Sequence, residues 1–183
     1  MKIIIANSKG GTGKSTLTMA LADIIKDVQI IDTDIQGTIK TSSKFTNRHI
    51  PIEPEEINSE FIIYDTPPYH SEELRSILQE ADLVIVPTKI AYPDLLAIKG
   101  VIDDLRDLKM TDKAIIVFNE IRKPHNKTYH EVKKLFYNNY KDIKKAETEL
   151  SNLVSFQKIL SEKLYGQAER EVQSLVTELN LTC

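Results

Sequence analysis

The sequence predicts an α/β fold in which helices cover both faces of a mainly parallel sheet, forming a three-layer α/β/α sandwich. Short apolar runs rich in β-branched residues recur along the chain, and segments with helical patterning separate them. Runs without polar alternation are typical of parallel strands buried on both faces, and strands that alternate with helices form βαβ units. A glycine-rich segment directly after the first run fits a turn from a strand into a helix.

Each predicted strand is a short apolar run. The five runs are Ile3–Ala6, Val28–Ile31, Phe61–Tyr64, Leu83–Val86 and Ala114–Phe118. The segments between and after them have the wider apolar spacing of helices, at Ser15–Lys26, Ser71–Glu80, Asp94–Leu108, Lys127–Tyr140, Asn152–Ser161 and Gln167–Leu179. A short helix is expected at Thr38–Phe45. Two prolines remove backbone donors from residues 46–54, which are expected to form a loop or an edge strand.

Composition and length limit the class of protein. The 183 residues, 41% hydrophobic and 28% charged, suit one globular domain over residues 1–183, and no linker or repeat divides them. No apolar stretch is long enough to span a membrane, and the N-terminal apolar run is too short for a signal peptide. The single cysteine, Cys183, cannot form an internal disulfide or a metal cluster within one chain. We therefore expect a cytoplasmic protein.

A phosphate-binding loop follows the first predicted strand. Glycines let backbone N–H groups converge on phosphate oxygens without interference from Cβ atoms, and the helix after the loop contributes its positive dipole end. Lys14 is placed to reach the β- and γ-phosphates, and the Ser15 hydroxyl to bind Mg²⁺. The pattern predicts a nucleoside triphosphate with Mg²⁺, held by Gly10, Gly11, Thr12, Gly13, Lys14, Ser15 and Thr16.

A second lysine, Lys9, separates this loop from most P-loops, because a cation at its mouth is hard to explain by binding within one subunit. With Lys9 in place the chain resembles the deviant Walker A ATPases of the ParA/MinD group, whose spacing is K-G-G-x-G-K-[ST]-T. The resemblance implies a P-loop NTPase fold, ATP as the nucleotide and an ATP-dependent homodimer. It also implies that Lys9 crosses the dimer to the partner's phosphates, in the role that an arginine finger has elsewhere.

Two aspartates follow the second predicted strand, in the segment Asp32–Gly37. Loops beyond the carboxyl ends of parallel strands form the ligand crevice, so these carboxylates are expected to face the phosphates. The segment resembles the family's D-x-D-x-Q-G element, which includes Ile35 and Gln36 here. By that resemblance Asp34 positions or activates the attacking water, and Asp32 orients the loop and the hydration shell of the metal. Asp34 could instead cap the following turn.

The third and fifth predicted strands also end in polar residues. Asp65 follows a buried run in a Walker B arrangement, and the resemblance implies that it holds a Mg²⁺-bound water. Pro67 and Pro68 then make a stiff turn suited to a nucleotide-dependent switch. Asn119 ends the fifth run, where relatives carry an asparagine that contacts adenine, although asparagine is also a common turn residue.

The charge is uneven along the chain. Between Arg122 and Lys145 lie eight basic residues, Lys123 among them, and two acidic ones, although the whole chain has a net charge of −3. Such a stretch with interspersed aromatic residues indicates a polyanion such as DNA, or simply a solvated helix face. The candidate DNA contacts are Lys133, Lys134, Lys144 and Lys145.

The resemblance implies a ParA-type partition ATPase. Such a protein binds DNA without sequence preference, associates with the nucleoid, and hydrolyses ATP when a ParB-like centromere-binding partner stimulates it. A positional ATPase for a protein cargo and an ATP-dependent synthetase on the same fold are the alternatives. No membrane partner is expected, because the segment 167–183 is acidic, whereas membrane-cycling relatives need a basic amphipathic helix there.

Overall fold

The computed structural model describes residues 1–34, 37–45, 58–68, 71–122 and 126–182. The loop or edge strand expected at residues 46–54 lies outside these ranges. Four single residues of the sequence analysis also lie outside them: Ile35, Gln36, Lys123 and Cys183.

The described strands form one parallel sheet of six. They are β1 (Lys2–Ile5), β2 (Val28–Asp32), β3 (Phe61–Asp65), β4 (Leu83–Thr88), β5 (Ala114–Phe118) and β6 (Lys144–Lys145), in the spatial order β2-β3-β1-β4-β5-β6. Every described strand pair is parallel, which confirms the predicted fold class. The short strand β6 was not predicted, because two lysines carry no apolar signal.

Helices cover both faces of this sheet. They are α1 (Lys14–Ile24), α2 (Thr38–Phe45), α3 (Glu72–Gln79), α4 (Tyr92–Ala97), α5 (Lys99–Asp107), α6 (Lys127–Asn139), α7 (Val154–Gln157) and α8 (Gly166–Glu178). The helix predicted at Asp94–Leu108 is divided into α4 and α5 at Ile98, whose ψ of −10° departs from regular helix geometry. The helix predicted at Asn152–Ser161 is shortened to α7, and turns continue to Ser161.

Two apolar cores lie on opposite faces of the sheet. Alternate residues of β1 and the residue that follows it separate into them, with Ile3 and Ile5 on one face and Ile4 and Ala6 on the other, all fully buried. The first core packs α1 and α8 against the sheet, and the second packs α3, α5 and α6. Among the described residues, no helix is both long and apolar enough to cross a membrane.

Candidate nucleotide site

The loop between β1 and α1 adopts the conformation that its glycines allow. Gly11 and Gly13 have φ values of 71° and 89°, in the left-handed region that side chains disfavour. A Cβ atom on Gly13 would lie 2.1 Å from Nδ2 of Asn119. Glycine is therefore required at residue 13 for both its backbone angle and the space beside it.

The loop lines a cavity of about 390 Å³ at the N-terminus of α1. Lys14 is 7% exposed, and its Nζ donates to the carbonyl oxygen of Lys9 at 3.3 Å. Burial lowers the pKa of Lys14, while the charges of Asp65 and Asp34 oppose that change. An anion in this cavity would stabilise the charged lysine. The lining residues are Gly10, Gly11, Gly13, Lys14, Ser15, Thr16, Asp34, Pro68 and Glu120.

Asp65 lies fully buried at the end of β3, next to the cavity-lining residue Ser15. Its Oδ1 accepts from the Thr18 hydroxyl at 3.3 Å, whereas its Oδ2 has no hydrogen-bond partner among the described residues. An unpartnered buried carboxylate oxygen beside the Ser15 hydroxyl suits a magnesium ion or its bound water. Among the described residues, no three His, Cys, Asp or Glu side chains form a metal cluster. Mg²⁺ needs none, because it keeps several waters and binds phosphates directly.

Burial raises the pKa of Asp65 from 3.8 to about 7, although hydroxyls of Ser15 and Thr18 oppose the change. Because the folded state then holds the proton more tightly than the unfolded state, stability from this group is present below about pH 4 and is lost as pH rises through 7. A change of this size corresponds to about 4 kcal/mol.

We expect Asp65→Asn to remove this decline of the free energy of unfolding with rising pH in nucleotide-free protein, measured by urea unfolding between pH 5 and about 8. An unchanged pH profile would contradict the assignment.

Asp32 and Asp34 have different surroundings. Both carboxylate oxygens of Asp32 accept backbone N–H groups, Oδ1 from Asp34 at 3.2 Å and Oδ2 from Lys40 at 3.1 Å. Asp32 thus orders the loop between β2 and α2. Asp34 is half-buried and lines the same cavity as Lys14.

Lys9 forms an ion pair within its own chain. Its Nζ lies 2.7 Å from Oδ1 of Asp94, on α4, and the two side chains are 40% and 5% exposed. The Lys9 backbone N–H donates to Oδ1 of Asn7, whose Nδ2 donates to the carbonyl of Pro87. Asn7 therefore links the backbone at Lys9 to β4, the strand that precedes α4. Asp94 carried no sequence signal as a partner of Lys9, because 85 residues separate the two.

Asn119 is oriented by contacts on both ends of its amide. Nδ2 donates to the carbonyl of Thr12 at 3.1 Å, and Oδ1 accepts from the Glu120 N–H at 2.8 Å. Each amide atom retains one further hydrogen-bonding site, which a base edge could use.

A second cavity, of about 190 Å³, adjoins the first and shares Gly13, Thr16 and Glu120 with it. Its far wall comes from the segment around α7, which no sequence motif marked. The residues of that wall are Ser151, Asn152, Leu153, Phe156 and Gln157. The two cavities together offer a polar compartment for phosphates and an adjoining compartment for a base.

Two of the four candidate DNA contacts are engaged inside the chain. Lys133 Nζ lies 2.5 Å from Oε1 of Glu149 and also contacts the Tyr129 hydroxyl. Lys145 Nζ donates to the carbonyls of Tyr140 and Ile143, and burial lowers its pKa. Lys134 and Lys144 are exposed.

A model of the CobQ/CobB/MinD/ParA nucleotide binding domain matches residues 3–164 of this chain. No curated protein sequence matches the chain significantly.

Several solved structures share the fold. A protein described as a plasmid partition protein from Borrelia burgdorferi B31, bound to AMPPNP, has a TM-score of 0.75 at 18% identity, covering 98% of both chains. A variant of McdA from Cyanothece, bound to ATP, has a TM-score of 0.76 at 12% identity, covering 98% of this chain and 96% of that one. Cobyrinic acid a,c-diamide synthase from Mycobacterium smegmatis, with ADP and magnesium, has a TM-score of 0.67 at 14% identity, covering 98% and 95%. At these identities the likeness shows the fold alone.

Proposed function

Because the chain belongs to the CobQ/CobB/MinD/ParA nucleotide binding domain family, we propose that it is a ParA-type partition ATPase. In this proposal Mg-ATP closes a nucleotide-sandwich dimer, which binds DNA without sequence preference on the nucleoid. A ParB-like partner then stimulates hydrolysis and release. The observation that carries the proposal is the placement of two lysines at one phosphate loop, Lys14 buried in it and Lys9 half-exposed at its mouth.

Each site residue has a role in this reaction. Lys14 and the loop N–H groups bind the phosphates, and Ser15 and Asp65 hold Mg²⁺ and its water, which would neutralise phosphate charge. Asp34 orients the attacking water and accepts its proton as the bond to the γ-phosphorus forms and the bond to ADP breaks. Asp32 keeps the Asp34 backbone in place through its 3.2 Å hydrogen bond. Asn119 and the second cavity hold the base.

The Lys9–Asp94 pair must open before Lys9 can reach a partner's phosphates. Asp94 is 3% exposed, and an unpaired carboxylate at such a site is costly, so the pair favours the monomer. We expect Lys9→Ala to bind ATP as a monomer but to lose the ATP-dependent dimer.

We expect Asp94→Asn to dimerise at a protein concentration roughly tenfold lower, which corresponds to about 1.4 kcal/mol.

Light scattering with a slowly hydrolysed ATP analogue would measure both effects. Lys2→Ala is the matched control, because Lys2 pairs with Glu80 at the end of β1 opposite the loop. A normal dimer in Lys9→Ala would remove Lys9 from the interface.

The exposed lysines Lys134 and Lys144 are the better DNA contacts, because internal bonds already hold Lys133 and Lys145. Gel shifts with no nucleotide, with ADP and with the ATP analogue test the proposal. We expect binding with the analogue only. The double change Lys134→Glu and Lys144→Glu should weaken it and reduce the salt slope by about two per protomer.

Charge reversal of Lys26 and Lys163, two exposed lysines in connections between elements, is the control and should leave more of the binding intact. DNA binding that ignores nucleotide would contradict the partition cycle. Its absence in every nucleotide state would favour a protein cargo or a synthetase reaction instead.

A further inference from the structure

Helix α8 holds the segment 147–151 through two carboxylates. Glu171 accepts the backbone N–H of Ser151 at 2.8 Å and the Ser151 hydroxyl at 2.7 Å. Glu178, two turns further along α8, accepts the N–H groups of Glu147 and Thr148 at 2.8 and 3.0 Å. Seven residues separate these two glutamates, so they lie on one face of the helix. The segment is therefore held near both of its ends.

The opposite side of this segment is bonded to the sheet. The N–H groups of Ala146 and Leu150 donate to carbonyls of Ile116 and Phe118 in β5, each at 2.9 Å. The hydrogen bonding continues past the end of β5, where the Asn152 N–H donates to the Ile121 carbonyl at 2.9 Å. The segment lies between β5 and α8, and Ser151 is 6% exposed within it.

The same segment leads into the wall of the second cavity. Ser151 lines that cavity, and Asn152 and Phe156 continue its far wall, opposite Gly13 and Thr16 of the phosphate loop. Helix α8 also packs on α1, the helix that begins at the phosphate loop, through residues of the first core such as Val172 and Leu175. One helix thus contacts both the phosphate-loop helix and the segment that forms the far wall.

We propose that Glu171 is a positioning residue for the base and ribose of the bound nucleotide. The proposal rests on the proposed nucleotide-binding function. Glu171 binds both the N–H and the hydroxyl of Ser151, so it fixes the orientation of the residue at which the far wall begins. It does not line the phosphate cavity, whose lining belongs to the loop, Asp34, Pro68 and Glu120. Loss of Glu171 should therefore affect the nucleoside and spare the triphosphate.

Calorimetry with Mg-ATP and with Mg-bound inorganic tripolyphosphate separates these two contributions. In Glu171→Ala we expect the affinity for ATP to fall by about tenfold, because the lost hydrogen bonds hold only the far wall of the second cavity. The affinity for tripolyphosphate should stay within about twofold of the wild-type value. Glu171→Gln keeps an acceptor oxygen and should recover part of the ATP affinity. Glu169→Ala is the matched control, because Glu169 is exposed on the same helix.

The possible outcomes are distinct. Equal weakening of ATP and tripolyphosphate, or unchanged ATP affinity, would overturn the proposal, since either excludes a role confined to the nucleoside. If Glu171→Ala does not fold, the same comparison of ligands in Glu171→Gln decides, with a smaller loss confined to ATP expected. If the wild-type protein binds neither ATP nor tripolyphosphate, the proposed function itself is refuted. If the wild-type protein binds tripolyphosphate as tightly as ATP, the second cavity does not bind the nucleoside, and the role proposed for Glu171 is refuted while phosphate binding stands.

Discussion

Lys14→Ala is expected to abolish ATP binding, with affinity reduced by at least about 100-fold. The side chain is 7% exposed and lies at the N-terminus of α1, where backbone N–H groups and the helix dipole already favour anions. A buried ammonium makes strong charge-assisted hydrogen bonds to phosphate oxygens, and alanine leaves the phosphates without that charge. Isothermal calorimetry with Mg-ATP measures the change directly.

Folding is the necessary control for that substitution. Burial lowers the pKa of Lys14, so in nucleotide-free protein its side chain is a desolvated cation whose loss should not lower stability. We therefore expect nucleotide-free Lys14→Ala to unfold thermally at or above the temperature of the unchanged protein. Lys163 is exposed and lies far along the chain, so the control Lys163→Ala should retain its affinity for ATP. Retained ATP affinity in folded Lys14→Ala would overturn the assignment of the phosphate loop.

Asp34→Ala is expected to bind ATP and form the dimer while hydrolysis falls by about 100- to 10,000-fold. The side chain lines the phosphate cavity, where a carboxylate can orient water and accept its proton. Alanine keeps both backbone bonds at this residue, from its N–H to Oδ1 of Asp32 at 3.2 Å and from the Gly37 N–H to its carbonyl at 2.7 Å, so the surrounding backbone should persist. Phosphate release under single-turnover conditions measures the effect.

The substitution Asp32→Ala distinguishes the effect of disordering the loop from the effect of removing the carboxylate of Asp34. Its carboxylate accepts the N–H groups of Asp34 and Lys40, so its removal leaves two backbone donors unpaired and loosens the start of α2. We expect lower thermal stability together with lower activity in Asp32→Ala, in contrast to Asp34→Ala. Normal turnover in Asp34→Ala would remove Asp34 from the mechanism.

Patterns within short stretches of sequence predicted most of the fold and the glycine-rich loop that lines the first cavity. The apolar runs from Ile3 to Phe118 lie in β1 to β5, because strands buried on both faces must be apolar throughout. Gly11 and Gly13 have the positive φ values that a phosphate loop requires. Predictions failed where local patterns were weak or were interrupted, as at β6 and at Ile98 between α4 and α5.

Residues close together in the chain were enough to predict the α/β class, the glycine-rich loop and the aspartates at the strand ends. Three contacts could be seen only in the folded chain: Lys9 with Asp94, Glu149 with Lys133, and Glu171 with the wall beside the second cavity. These contacts join residues 16 to 85 positions apart. Ion pairs and carboxylate–amide bonds at such separations follow no periodic pattern, so the packing of helices on the sheet alone brings their partners together.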